Sequence, residues 1–175
     1  MMRFLSFTNF MGLLVVAAGI WTLFAAQSSQ GTRQVNLPTN IQPGGTLTLK
    51  LHFAKDNGSG MVVESRNIQT QDGEDLYNRA LNELVKGPQA PGEAAIVPAG
   101  AAAPTVFLRD TTAYVDLPAA YAQLDYGTVA ETNLIYGIAT TLLEFKEVGA
   151  VKFLLGGKDV ESLGHLSLLD PFKRR

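Results

Sequence analysis

The sequence contains no cysteine and only two histidines among its 175 residues. The missing thiols exclude disulfides, thiol nucleophiles, iron–sulfur clusters and cysteine zinc sites, and two imidazoles are too few for a multi-histidine metal site. Basic residues are not in excess either: 14 Lys and Arg against 16 Asp and Glu give a net charge of −2, which disfavours a nucleic-acid-binding protein. Charged residues make up 17% of the chain, below the usual quarter, so part of it is expected to lie outside water.

The shortage of charged residues is concentrated in residues 10–26, which contain no charged side chain. As a helix this run would span about 25 Å, close to the hydrocarbon thickness of a bilayer. We therefore predict a transmembrane signal anchor over residues 1–26. Arg3 precedes the run, so the positive-inside rule places the N-terminus in the cytoplasm and the rest of this single-pass protein outside it. The predicted span includes Phe10, Leu14, Ile20, Trp21 and Ala26.

Two alternatives to the anchor remain open. The segment could be a signal peptide cleaved after Ser28, with Ala26 and Ser28 at the −3 and −1 positions, or a buried core helix. The absence of cysteine excludes a lipoprotein anchor. Residues 27–45 are rich in Gln, Ser, Asn, Gly and Pro and predict a flexible polar linker, which leaves residues 46–175 as one folded domain.

Alternation of apolar and polar residues predicts a β-hairpin from strands at 46–53 and 61–68 around the turn at 56–60. A helix follows at 72–86, capped by Asp72 and ended by Gly87. A second hairpin is predicted at 105–109 and 113–117, and a second helix at 128–145, opened by a capping box of Thr128 and Glu131. A strand at 151–155 completes the order, with 159–163 as a short partner. These elements predict an α+β domain in which two helices cover one face of a small antiparallel or mixed sheet.

No stretch of the sequence satisfies a catalytic, cofactor or metal motif. Gly156-Gly157-Lys158 lacks the other residues of a phosphate-binding loop and is typical of a hairpin turn. Ser162, His165 and Asp170 lie close in sequence without the nucleophile motif of a hydrolase. His52 is predicted to be a solvated strand residue, and residues 173–175 a solvated basic tail. We therefore expect no catalytic residue, no cofactor and no bound metal.

Several stretches of residues 46–172 together resemble the GerMN domain, named from a bacterial spore germination and sporulation protein. The matching stretches are LTLKLHFA at 47–54, YNRALNELVKGP at 77–88, AIVPAG at 95–100, TAYVDLP at 112–118, ETNLIYGIATTLLEF at 131–145 and VKFLLGGKDVESLGHLSLLDPF at 151–172. The resemblance implies a fold similar to small α+β ring-building modules, an extracytoplasmic envelope location and no established enzymatic activity. Many members carry a lipid-modified cysteine, so anchoring of this chain would fall to its apolar segment.

These features favour a membrane-tethered interaction or assembly module of the bacterial cell envelope that binds a protein partner or a second copy of itself. Its predicted surfaces are the hairpin tip at 56–60, the loop at 87–103 and the loop at 156–165. The residues singled out there are Asp56, Asn57, Gly58, Gly156, Gly157, Lys158, Glu161, Ser162, Gly164 and His165. The second hypothesis is a module that binds peptidoglycan or another wall glycan through Tyr121, Tyr126 and Asp125. A wall-modifying enzyme is the third, and only the predicted compartment favours it.

Overall fold

A computed structural model describes residues 45–124 and 127–174. The predicted anchor over residues 1–26 and nearly all of the linker lie outside the described residues. Within the part of the chain that is described, none of the helices combines the length and the apolar character needed to cross a membrane. The elements in chain order are β1 (Thr46–Lys55), β2 (Met61–Gln69), α1 (Leu76–Val85), β3 (Glu93–Ala94), β4 (Thr105–Arg109), β5 (Thr112–Leu117), a 3-10 helix (Ala119–Gln123), α2 (Thr128–Leu143), β6 (Ala150–Leu155), β7 (Lys158–Asp159) and β8 (Phe172–Lys173).

The first sheet is built on the predicted hairpin of β1 and β2. The two strands pair antiparallel from Thr46 opposite Gln69 to Ala54 opposite Met61, and β3 adds to the far end of β1. Leu49, Leu51 and Phe53 are buried because every second residue of a strand points to the same face. The turn depends on Gly58 and Gly60, whose positive φ angles of 71° and 120° disfavour other residues.

The second sheet corrects the expectation of one small sheet of hairpins. Its strand order is β4-β5-β6-β7, and β8 also pairs with β6. The hairpin of β4 and β5 is confirmed, but β5 pairs with β6 in parallel, from Thr112 opposite Ala150 to Leu117 opposite Leu155. A parallel pair needs a crossover connection, and here the 3-10 helix and α2 supply it. The domain is α+β, with two helices and two sheets.

The N-cap of helix α1 lies three residues after the predicted cap. Asp75, not Asp72, is the N-cap, and its Oδ1 accepts hydrogen bonds from the backbone N–H groups of Tyr77 and Asn78, both at 3.1 Å. Asn78 then reaches β4, where its side-chain amide both donates to Val106 O and accepts from Val106 N at 2.8 Å. A side chain thereby occupies part of the β4 edge, which a further strand would otherwise use.

Helix α2 crosses close to β1 and lacks the predicted capping box. Its N-cap is Gly127, with no side-chain cap, because Glu131 turns into the protein interior instead of back to Thr128. One turn from Gly137, the buried hydroxyl of Thr141 accepts a hydrogen bond of 3.0 Å from the backbone N–H of His52. The helix therefore satisfies a backbone group of β1 that no strand pairs.

The core lies between the helices and the inner faces of the two sheets. Both helices contact β1, while α1 also contacts β4 and α2 also contacts β6. The largest fully buried side chains are Phe53, Leu51, Leu76, Leu81, Leu84, Leu117, Tyr121, Leu134, Ile135, Ile138, Leu142 and Phe153.

Candidate interaction surfaces

The hairpin tip and the loop that follows α1 form one surface. Asp56 donates its backbone N–H to Gly92 O at 3.0 Å, which ties the tip to the 87–103 loop. Within the tip, Gly58 N–H donates to Lys55 O at 3.0 Å and Asn57 Oδ1 accepts from Ser59 N at 2.9 Å. Asp56, Asn57 and Gly58 are all exposed. Two of the three predicted loops are therefore joined.

The third predicted loop, residues 156–165, is fixed to the second sheet. Gly156 N–H donates to Leu117 O at 2.9 Å, and Gly157 N–H donates to Asp116 Oδ1 at 2.7 Å. Lys158, Glu161, Ser162, Gly164 and His165 follow as exposed residues. Among the hydrogen bonds of the described residues, none joins this loop to the hairpin tip. The three predicted loops therefore form two separate surfaces, and hydrogen bonds fix each of them to the rest of the domain.

Glu131 anchors the end of the third loop. Its carboxylate is completely buried and accepts hydrogen bonds from the backbone N–H groups of His165 and Leu166 and from His165 Nδ1, each at 2.9 Å. Burial by itself would raise the pKa of Glu131, but these hydrogen bonds outweigh it and hold the pKa below its ordinary value. The sequence interpretation missed this role because Glu131 also fits the fourth position of a capping box.

Replacement of Glu131 by glutamine is expected to destabilise the domain by about 1–2 kcal/mol at pH 7, because an amide offers one acceptor oxygen where the carboxylate offers two. A lowered pKa means that the stabilising contribution is present above the unfolded-state value near 4.5 and is lost as pH falls through the lower folded-state value. Denaturant unfolding of both proteins at pH 7 and in steps below pH 4.5 measures the difference. It should shrink in acid, whereas Ser162→Ala in the same loop should stay within about 0.5 kcal/mol at every pH. A difference that is constant with pH would contradict this assignment.

A groove lies along the exposed side of α2, and the sequence did not indicate it. Glu144 lies in its centre and accepts hydrogen bonds from Lys50 Nζ and His52 Nε2, both at 3.1 Å. Burial acts to raise the pKa of Glu144, but these two partners outweigh it and lower the pKa. The prediction that His52 is only a solvated strand residue is wrong, because its side chain is mostly buried against Glu144.

The C-terminal segment forms the other wall of the groove. Phe172 packs edge-on against Tyr136 and Phe153, with ring centroids 5.3 and 5.6 Å apart. Arg174 donates to the backbone oxygens of Leu143, Phe145 (2.8 Å) and Val148 (3.2 Å), at the C-terminal end of α2. A cation at this position compensates the negative end of the helix dipole. Arg174 is exposed, as predicted for the tail, but it is also anchored to the end of α2, and Arg175 lies outside the described residues.

A stacked aromatic pair with one exposed member marks the outer face of the second sheet. Phe107 on β4 and Tyr114 on β5 are direct neighbours, with parallel rings whose centroids are 5.2 Å apart, and Phe107 is 52% exposed. Lys152 on β6 is the pairing partner of Tyr114 on β5. Its Nζ donates to the backbone oxygens of Leu168 (3.0 Å) and Leu169 (2.6 Å). Leu169 is 59% exposed. This face therefore carries two exposed apolar side chains, Phe107 and Leu169.

Of the three residues predicted to bind a wall glycan, the structure describes only Tyr121. Tyr121 is buried, and its hydroxyl donates to Ala102 O at 2.9 Å. Burial raises the pKa of Tyr121 to about 12. Asp125 and Tyr126 lie outside the described residues. Tyr121 therefore belongs to the core, and sugar stacking requires an exposed ring.

In residues 45–124 and 127–174, no group of three or more Asp, Glu or His side chains is placed to hold a metal ion. The carboxylate of the Glu131–His165 pair is occupied by two backbone amides. The hydrogen bonds that fix the loop therefore explain why Glu131 and His165 lie together.

Known proteins resemble this chain in sequence pattern and in fold. A family described as "Germane: Sporulation and spore germination" matches residues 50–161. The first GerMN domain of the sporulation protein GerM from Bacillus subtilis has a similar fold, with a TM-score of 0.59 and 20% identity over 73% of this chain and 98% of that one. The tandem GerMN domains of the same protein give a TM-score of 0.60 at 20% identity over 74% of this chain, which spans 47% of their length. No curated protein matches the chain.

The family match covers well over half of the chain, from the middle of β1 to the residues just after β7. It includes both helices and most of both sheets, and the similar structures carry the same fold. This chain belongs to the Germane-domain family of sporulation and spore germination.

Proposed function

We propose that this chain is a non-enzymatic, membrane-tethered interaction module of the bacterial cell envelope, with its Germane domain on the extracytoplasmic side. The family is described by sporulation and spore germination and not by a reaction, which supports a binding role. The uncharged run at residues 10–26 supports the tether, and Arg3 before it supports the orientation.

The observation that carries the interaction role is the stacked pair of Phe107 and Tyr114 on the outer face of the second sheet, with Phe107 exposed. Phe107 and Leu169 each leave more than half of their surface in water. The hydrogen bonds of Lys152 hold the loop that carries Leu169 beside the sheet, so the patch is fixed before a partner arrives. An apolar patch with a polar rim is typical of a protein–protein interface, because its burial removes apolar surface from water.

Cross-linking on intact cells with a membrane-impermeant, lysine-reactive reagent tests both parts of the proposal. We expect the full-length chain to react before lysis and to give a reproducible cross-linked protein partner or a self-linked ladder. Phe107→Asp should reduce that product at least 5-fold, because it places a charge in the apolar patch. Val63→Asp is the matched control, since Val63 is a comparably exposed apolar residue on the first sheet.

The possible failures are distinguishable. Reaction only after lysis would overturn the extracytoplasmic location. Reaction without any protein product, or with wall fragments alone, would overturn the protein-interaction role. Equal loss in the Phe107 and Val63 variants would move the interface away from the second sheet.

A further inference from the structure

We propose that the groove along α2 binds an acidic peptide segment of a partner protein. The inference rests on the proposed interaction role and names the chemistry of one partner site. The groove is distinct from the three loops predicted from sequence and from the aromatic pair on the second sheet.

The shape of the groove suits an extended chain. Two adjoining depressions of ≈ 220 and ≈ 630 Å³ share Glu144 in their lining. The smaller depression is largely apolar and includes Leu47, Leu49 and Phe145, so it can accept an apolar side chain. The larger one is lined by Tyr136, Phe172 and the C-terminal cations. A peptide can place successive side chains in both, whereas a small molecule would fill one.

The charge of the groove favours an acidic occupant. Lys50, Lys146, Lys173 and Arg174 line the two depressions, against two carboxylates, Glu144 and Glu147. Glu144 is already paired with Lys50 and His52. The groove is therefore net positive on a protein whose overall charge is −2. Opposite charge across an interface raises the association rate and disfavours basic partners.

The walls of the groove are rigid. Tyr136 is 38% exposed, and Phe172 connects it to the buried Phe153. Arg174 is held by three backbone oxygens at the end of α2. Preorganised walls reduce the entropy that binding costs.

The chain's own N-terminal residues do not have the charge of the proposed occupant. Residues 1–44 contain Arg3 and Arg33 and no Asp or Glu. Charge complementarity therefore favours a segment from another protein.

The test is selection of displayed random 12-residue peptides on the full-length chain in detergent micelles. We expect enriched peptides to combine several Asp or Glu residues with an apolar residue. Fluorescence anisotropy with a labelled copy of the enriched peptide should then show binding that weakens as salt is raised. Lys173→Glu and Tyr136→Ala should each weaken it at least 10-fold, whereas Lys55→Glu, at an exposed lysine outside the groove, should change it less than 2-fold.

No enrichment, enrichment without an acidic bias, or binding unaffected by both groove variants would overturn the proposal. The cell cross-linking experiment does not depend on the groove. Failure of peptide binding with retained cross-linking would therefore remove the groove and leave the proposed function standing. Unfolding curves of the two groove variants that match wild type exclude a general loss of structure.

Discussion

Replacement of Arg66 by methionine is expected to destabilise the domain by about 3–5 kcal/mol, because it leaves the buried carboxylate of Glu64 without its cation and removes one of the three cations paired with the buried Glu83. Arg66 is only 7% exposed. Its Nε donates to Glu64 Oε1 at 2.9 Å, and its Nη1 donates to Glu83 Oε2 at 3.0 Å. Burial would raise the pKa values of both carboxyls, but their hydrogen bonds outweigh it and hold both pKa values below the ordinary range.

The same guanidinium also supports the end of α1. It donates to the backbone oxygens of Glu83 and Gly87, both at 3.0 Å, where the helix leaves carbonyl groups without intrahelical partners. Its Cζ lies 5.9 Å from the ring centroid of Phe53. Methionine can fill the volume of the side chain, but it donates no hydrogen bond. The loss should therefore be far larger than a change of volume would cause.

Urea unfolding of the full-length chain in detergent, followed by circular dichroism, measures the effect. Arg79→Met is the matched control, because Arg79 also pairs with Glu83 (3.3 Å) but is more than a third exposed, and its loss should cost less than about 1 kcal/mol. Arg66→Lys keeps the charge without the planar fork and should fall between the two, which provides a folded variant if Arg66→Met does not fold. The cost of Arg66→Met should shrink below pH 4.5, as protonation removes the unpaired charge of Glu64. Equal effects at Arg66 and Arg79 would contradict the assignment.

The local elements of the fold follow directly from the sequence. Period-two alternation identifies β1, and Gly87, with φ of 83°, ends α1 as expected. Both signals are local, since they depend on residues within one turn or one strand. The parallel pairing of β5 with β6 is not local, because 32 residues separate the two strands. The hairpin pattern at 105–117 predicts that β4 pairs with β5, but it does not indicate which strand lies along the other edge of β5.

Side chains with two plausible partners explain the errors at the candidate sites. Glu131 fits a capping box in sequence, but in the fold its carboxylate accepts from the backbone N–H groups of His165 and Leu166 instead of capping the exposed helix start. The contact of Arg174 with the end of α2 was not predictable, because it depends on where the fold places that helix end.

The buried charges of β2 did have a signal in the sequence. Glu64 and Arg66 are in phase with Ile68 at period two, and Ile68 is buried, so all three point to the same face. An ion pair facing the core was therefore predictable from this alternation. Its partner Glu83 was not, since that contact depends on how α1 lies across the sheet.

Replacement of Gly137 by alanine is expected to destabilise the domain by about 2–4 kcal/mol, although alanine favours a helix over glycine by about 1 kcal/mol. A Cβ at this position would lie 2.3 Å from Ile96 Cδ1 and 2.9 Å from the backbone oxygen of His52. The isoleucine methyl belongs to a side chain and can move, but the oxygen belongs to β1. The helix must therefore retreat from the strand, which strains the 3.0 Å hydrogen bond from His52 N–H to Thr141.

A double-mutant cycle with Ile96→Val tests this mechanism, because valine lacks the Cδ1 atom that the new methyl meets. Alone, Ile96→Val should cost about 0.5–1.5 kcal/mol for the lost buried methyl group. The double variant should lose about 1 kcal/mol less stability than the sum of the two single changes. The part of the Gly137→Ala cost that Ile96→Val does not relieve is then assigned to the contact with His52 O. Gly127→Ser is the control at the start of the same helix, where an added Cβ meets no atom within 4 Å. Serine is a good N-cap residue, so stability there should be unchanged or slightly higher. Additive effects at positions 96 and 137 would contradict close packing of α2 on β1 as the cause.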